Sequence, residues 1–226
     1  MICVQPRDIG LCTATLFMAS LSQYDDGMAN RNDATPQKTF AEAEIKVALT
    51  EDEFTALPAI LRKLGFVPER KIRIIDYYIA YAPSPLGGYD FTRLRVMDGH
   101  EHWITEKRWI RDAHEKAIRL EEEYELSAAE FRLRLNKAES YLSLDKQRLS
   151  FFGRIEGQDA HAVLDHLVLE DRSYYFLECE VITTPALAAD TRQDILQWMR
   201  EHLPLRDIRE APSMLELLKS VVEARG

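Results

Sequence analysis

The stretch "FAEAEIKVAL", residues 40–49, decides how this chain is read. Glu42, Glu44 and Lys46 alternate there with Ala43, Ile45 and Val47. Alternate residues of a β-strand share a face, so a strand here carries two carboxylates and an ammonium on one side and apolar groups on the other. Alone, this is the ordinary half-buried strand with its charges in water.

The spacing recurs along the chain. Arg93 and Arg95 alternate in "TRLRV", and Arg119, Glu121 and Glu123 in "IRLEEE". Lys146 and Arg148 alternate in "DKQRL", Glu178 and Glu180 in "FLECEV", and Lys107 adds a cation in "WITEKRW". Carboxylates two residues apart repel unless a cation lies between them, and the cationic pairs sit on strands of their own. If every charged face lay outside a barrel, its helices would have no apolar surface to cover. Charged faces turned inward leave the apolar faces outward for amphipathic helices. The pattern therefore predicts a polar tunnel with helices packed outside.

Working outward from residue 40, Thr50 and Glu53 form a capping box for a helix that contains Pro58, where a kink or interruption is expected. "KIRIIDYYIAY" (71–81) reads as a strand, and the Asp98–Gly99 pair as a hairpin turn. A short helix starts at Ser127, and turn signals fall at Gly153, Gly157 and Asp171 between further strands. Helices are expected over about 187–203 and from Ser213. About eight strands joined by short turns, with single helices inserted, favour an antiparallel sheet or closed barrel of α+β type over a doubly wound parallel sheet, and with the charges turned inward the expectation is a closed eight-stranded antiparallel barrel.

The 226 residues, 46% of them hydrophobic, suffice for a sizeable core. With 29 basic and 38 acidic residues the net charge is −9, which argues against nucleic-acid binding or an anionic membrane surface through bulk charge. No apolar run reaches membrane-spanning length. Cys3, Cys12 and Cys179 lack metal-ligand spacing and suit a reducing, cytoplasmic setting. Residues 1–38 are expected to be a disordered extension, with a weak leader-like run at 9–20 and Met28 as an alternative start; the folded domain is expected over 39–226.

Paired Glu oxygens from several strands suit a hard cation, Mg²⁺ or Mn²⁺, while Arg and Lys suit the oxygens of a polyphosphate. A metal bridging carboxylates to a triphosphate would satisfy both sets. Other motifs fall away. "HEH" (His100, Glu101, His102) lacks a third ligand and reads as a solvated hairpin end, and "PLGG" has no Gly-Lys-Ser/Thr after it. Trp103 and Trp109 read as packing residues and Cys179 as an inert buried thiol.

The ordered set E-x-E-x-K, R-x-R, a lone Lys, R-x-E-x-E, K-x-R, the Asp of "VLD" and a final E-x-E resembles the CYTH family of class IV adenylyl cyclases and thiamine triphosphatases, within the triphosphate tunnel metalloenzymes. The resemblance implies that Glu42, Glu44, Glu178 and Glu180 bind metal, with Glu121 and Glu123 as further tunnel acids holding metal or its water. It implies that Lys46, Arg93, Arg95, Lys107, Arg119, Lys146 and Arg148 grip the triphosphate. Asp165 and Asp76 would support the basic cluster, and Lys46 with Tyr77 or Tyr78 would assist attack by water. The chain differs from the family pattern at "LEDRSYY", where a Leu-Gly turn is usual, and at Met214, which stands in a Tyr position.

Three activities fit these residues: hydrolysis of inorganic or organic triphosphate, cyclisation of ATP to cyclic AMP, and non-catalytic polyphosphate binding. A small-molecule triphosphate is the expected partner, and the chain is expected to be a monomer or homodimer.

Overall fold

The computed structural model describes residues 40–111, 117–184 and 186–224, without the side chains of residues 40 and 117–119. The extension expected over 1–38, including Met28, Cys3 and Cys12, lies outside the described residues. The chain order is β1 (Phe40–Leu49), α1 (Glu51–Lys63), β2 (Val67–Pro83), β3 (Tyr89–Met97), β4 (Glu101–Arg111) and β5 (Ala117–Glu125). Then follow α2 (Ala128–Lys137), β6 (Leu142–Ile155), β7 (Gln158–Leu169), β8 (Arg172–Thr183), α3 (Ala188–His202) and α4 (Met214–Glu223).

The eight strands close into an antiparallel barrel in the order β1-β5-β4-β3-β2-β6-β7-β8. Tight turns hold the hairpins. Asp98–Gly99, Glu156–Gly157 and Glu170–Asp171 each place two successive residues at positive φ, the geometry that matches the twist of the strands they join. Closure between β1 and β5 rests on a short register, Phe40 opposite Glu121 and Ala41 opposite Leu120. Beyond it the C-terminal segment covers the same edge of β1. The Arg192 Nε donates to the Glu44 carbonyl at 3.2 Å, and the Ala211 N–H donates to the Lys46 carbonyl at 2.8 Å. An edge that would otherwise offer unpaired backbone groups is thereby satisfied.

The apolar positions between the charges face outward. Ala43, Ile45, Val47, Leu177, Cys179 and Val181 pack against Leu57 and Leu61 of α1 and Ile195, Trp198 and Met199 of α3. Leu94 and Ile104 receive Phe131 of α2. α4 does something else. Its Met214, Leu215 and Leu218 pack on Tyr78, Phe91, Leu144, Leu167 and Phe176, which hold inward positions at one end of the barrel, so α4 caps that end.

Two local expectations are corrected. α1 continues through Pro58 to Lys63, so the proline does not end the helix. Gly153 is no turn: it lies within β6, opposite Ala160, and a Cβ there would stand 2.5 Å from the Phe66 ring. The missing side chain is the slot in which Phe66 sits, with Trp198 of α3 at 5.6 Å between ring centroids. Capping boxes form at all three helix starts where the sequence spacing predicts them, through Thr50–Glu53, Ser127–Glu130 and Ser213–Glu216. Among the described residues no helix is long and apolar enough to cross a membrane.

Candidate functional site

The alternating charges converge inside the barrel. Glu42, Glu44 and Lys46 of β1, Arg93 and Arg95 of β3, and Lys107 of β4 line one cavity of about 200 Å³. Glu121 and Glu123 of β5, Lys146 and Arg148 of β6, and Glu178 and Glu180 of β8 line it too, with Tyr78 and the start of α4 at one end. Arg119 holds the matching register on β5, opposite Trp109, but its side chain lies outside the described residues.

Two aspartates order the basic groups from behind. Asp76 is fully buried and accepts from Arg95 Nε at 2.7 Å and Arg95 Nη2 at 3.1 Å; Arg93 and Lys146 lie at 3.7 and 4.0 Å. Burial alone would raise its carboxyl, but Arg95, Arg93 and Lys146 outweigh that and hold it well below the usual range. Asp165 repeats the arrangement on β7. It accepts from Lys146 Nζ at 2.6 Å and from Arg148 Nε and Nη2 at 2.8 and 2.7 Å. Against the cost of burial, Arg148 and Lys146 keep it ionised. The price of burying four cations is thus met by two carboxylates whose oxygens fix the direction of each guanidinium.

Lys146 is the exception among the cations. Burial, reinforced by Arg148, pulls its ammonium down to about 8 despite Asp165 and Asp76. Tyr78 is shifted the other way, to about 12, by burial and the nearby Asp76 carboxylate. Its phenol keeps its proton at neutral pH, so it can donate a hydrogen bond rather than accept a proton from water.

The carboxylates fall into two groups. Glu121 meets Lys107 in a close ion pair, and Lys107 Nζ also donates to Glu42 at 2.8 Å. Lys107 holds Glu121 well below its ordinary value although burial opposes it, whereas burial raises Glu42, and Glu121 and Glu180 raise it further. Glu178 lies 3.1 Å from Lys46 and accepts from Arg148 at 2.9 Å, which keeps it ionised against burial. Glu44 and Glu180 face each other in register across β1 and β8. Burial, with Glu44 and Glu178 close by, raises Glu180.

Among the described residues, no three carboxylate, histidine or cysteine groups are already gathered at metal-binding spacing. The donor set nonetheless fits a hard divalent ion. Glu42 and Glu44 on one strand and Glu178 and Glu180 on its neighbour point into one space, and the raised Glu42 and Glu180 mark an acidic excess that a divalent cation would offset.

Some residues in the cavity wall or directly behind it escaped the sequence reading. Thr105 is fully buried on β4; its hydroxyl donates to Glu123 at 2.7 Å and accepts from Arg93 at 3.1 Å. Phe91 lines the cavity two residues before Arg93. Both stand in phase with a charge already recognised, so the alternation itself could have found them. Ser213, Met214 and Leu215 also line it, and no strand period could have placed a distant helix there. Trp103 and Trp109, read as packing residues, share the strand phase of Thr105 and Lys107 on β4.

The sequence matches the CYTH domain over residues 41–207, and the chain belongs to that family. The family includes adenylyl cyclases and triphosphatases, and its tunnel enzymes are in general metal-dependent. The fold is shared with a provisionally designated adenylyl cyclase from Hippeastrum, HpAC1, described as having a dominant triphosphatase activity. The match has a TM-score of 0.50 and 16% identity, covering 81% of this chain and 96% of that one. It is shared also with provisionally designated adenylate cyclases from Vibrio parahaemolyticus (TM-score 0.56, 16% identity, 80% and 99% covered) and Bacillus halodurans (0.52, 18%, 81% and 98%). No curated protein matches the sequence.

Proposed function

We propose that this CYTH-family chain hydrolyses a triphosphate, inorganic or organic, in a reaction that depends on Mg²⁺ or Mn²⁺. One observation carries the reading: acids and bases from six strands line a single cavity inside the barrel. Neither set alone accounts for the other, and a metal–triphosphate complex needs both.

In this reading Arg93, Arg95, Lys107, Lys146 and Arg148 bind the phosphate oxygens, and Arg119 extends the series along β5. Asp76 and Asp165 hold the guanidiniums in place, so that little reorganisation is needed as charge develops on the transferred group. Glu42, Glu44, Glu178 and Glu180 would hold the divalent ion, with Glu121 and Glu123 beside them. When bound, that ion supplies charge neutralisation for the phosphoryl oxygens and polarises the terminal phosphorus. Water attacks that phosphorus in line, the bridging P–O bond breaks, and orthophosphate leaves the shortened chain. Lys46, paired with Glu178, and the proton-bearing Tyr78 would orient the terminal group and the attacking water. A soluble, cytoplasmic protein acting on a small molecule, as monomer or homodimer, is consistent with this chemistry.

The test offers purified protein inorganic triphosphate, thiamine triphosphate and ATP with Mg²⁺ or Mn²⁺ and measures orthophosphate, pyrophosphate and cyclic AMP. Orthophosphate as main product is expected, and Glu44→Gln should lower turnover at least a hundredfold while the circular dichroism spectrum stays unchanged. Cyclic AMP with pyrophosphate would identify a cyclase instead, and tight binding without turnover a polyphosphate-binding module.

A further inference from the structure

The chamber holds its arginines in two different ways. Asp76 takes Arg95 through Nε and Nη2 at 2.7 and 3.1 Å, and Asp165 takes Arg148 through the same two nitrogens at 2.8 and 2.7 Å. Each is a two-point fork that fixes the plane of the guanidinium. No carboxylate makes such a fork with Arg93 among the described residues. Asp76 Oδ1 stands 3.7 Å from the Arg93 Nε, beyond hydrogen-bond reach, and that buried Nε has no hydrogen-bond partner. Arg93 Nη2 donates instead to a neutral group, the Thr105 hydroxyl, at 3.1 Å.

Strand register produces this arrangement. Thr105 on β4 lies opposite Arg93 of β3 on one side and Glu123 of β5 on the other, so a base, a hydroxyl and an acid stand side by side on three adjacent strands. The hydroxyl has one proton and donates it to Glu123 Oε1 at 2.7 Å, while a lone pair accepts from Arg93. Arg93 Nη2 and the same Glu123 oxygen are 3.4 Å apart, short of the ~2.7–2.9 Å of a closed charge-assisted contact. Thr105 has no solvent exposure, whereas Arg93 and Glu123 both line the chamber. The two charges could neutralise each other without help. What the hydroxyl adds is separation and direction.

We propose that Thr105 is a positioning residue: its hydroxyl, set between Arg93 and Glu123, keeps the two from closing into a direct ion pair. Arg93 thereby stays directed at the phosphate oxygens, and Glu123 stays available to the metal side of the chamber. Without the hydroxyl the guanidinium and the carboxylate close on each other. Triphosphate and metal then have to break that pair before either can bind, and apparent affinity falls with the fraction of open pair. The inference rests on the triphosphate reading of the chamber and deepens it, by naming a neutral group that keeps the cationic and anionic halves of the site apart.

The experiment compares full-length wild type with Thr105→Val, which keeps the shape and removes the hydroxyl, and Thr105→Ser, which keeps the hydroxyl. Calorimetry reads tripolyphosphate binding, Mn²⁺ binding is read without phosphate, and orthophosphate release gives kcat and KM. Thr105→Val should bind tripolyphosphate about tenfold and Mn²⁺ about threefold more weakly. Its KM should rise about tenfold with kcat within about threefold, the signature of binding lost equally from ground and transition states. Thr105→Ser should stay within about twofold of wild type in each. A merely structural role would show instead as a lowered unfolding midpoint with both affinities unchanged, and that result, or equal losses in Thr105→Ser and Thr105→Val, would overturn the proposal. If Thr105→Val lacks a native circular dichroism spectrum, Thr105→Ala, which sets no methyl group against the guanidinium, is held to the same expectations. Wild type that binds tripolyphosphate without turnover would refute hydrolysis while the binding comparison still decides the role of Thr105. Turnover with an indifferent Thr105→Val would do the reverse, and wild type that fails to bind tripolyphosphate would overturn both.

Discussion

Asp165 shows what a single carboxylate does in this interior. It has no solvent exposure and answers two cations at once, so Asp165→Asn leaves Lys146 and Arg148 short of their counter-charge. A loss of about 3–5 kcal/mol at pH 7 is expected by urea denaturation, the range for breaking a buried pair. The sign with pH follows from its depressed folded value. Its stabilisation is present above the unfolded pKa of about 3.9 and lost as pH falls through the folded value, so the variant should show a shallower acid limb. An unchanged midpoint at pH 7 would contradict this role. Lys146 gives a prediction of opposite sign. Its ammonium, brought down to about 8, is charged below that pH and neutral above it, so triphosphate binding should weaken above pH 8 with a limiting slope of one log unit per pH unit. Lys146→Arg should flatten the profile, because a guanidinium stays charged. Titration calorimetry from pH 7 to 9.5 checks both. At this scale the sequence was informative, because a strand period of two is strict and ionised residues cannot hide in it. It could not say which carboxylate meets which cation, since Arg95–Asp76 and Lys146–Asp165 depend on strand neighbours 19 residues apart.

Elements carry the second layer. β6 packs outward through a gap: Gly153 leaves room for Phe66, which in turn meets Trp198 of α3. Gly153→Ala should push Phe66 off its site and cost about 1–3 kcal/mol, the range for overpacking, read as a shift in the denaturation midpoint. A stability equal to wild type would show that the slot is not needed. The sequence reading took the same glycine for a turn, because a lone Gly between β-rich runs signals a turn and a close approach equally well. Pro58 was similarly overrated: α1 continues past it, capped at Thr50–Glu53, with Leu57 and Leu61 buried against the barrel. Packing outweighed one lost backbone donor. Caps and hairpin turns were legible because each is set by two to four adjacent residues. The seat of α4 was not, since its apolar face fits any greasy surface and only closure of the barrel supplies an end to cover.

For the whole molecule, the decisive property is that charge lies inside and grease outside the sheet. A barrel of this size ordinarily fills its interior with side chains, and here Lys, Arg, Glu and Asp fill its middle, with inward Leu144 and Leu167 confined to the end that α4 covers. Such an interior is retained for a ligand, since a well-packed apolar core of similar volume would be as stable or more so. The CYTH match and the shared fold agree with the order of charges along the chain, which the sequence alone displays; the closing of one barrel end by α4 is not legible there. The most direct measurement of the central claim is a Mn²⁺ titration followed by electron paramagnetic resonance, with and without tripolyphosphate, in wild type and Glu44→Gln. Stoichiometric loss of the free Mn²⁺ signal with tripolyphosphate in wild type, weakened at least tenfold in the variant, is the expected result. Equal Mn²⁺ binding by both proteins would contradict a metal–triphosphate complex held by the inward carboxylates.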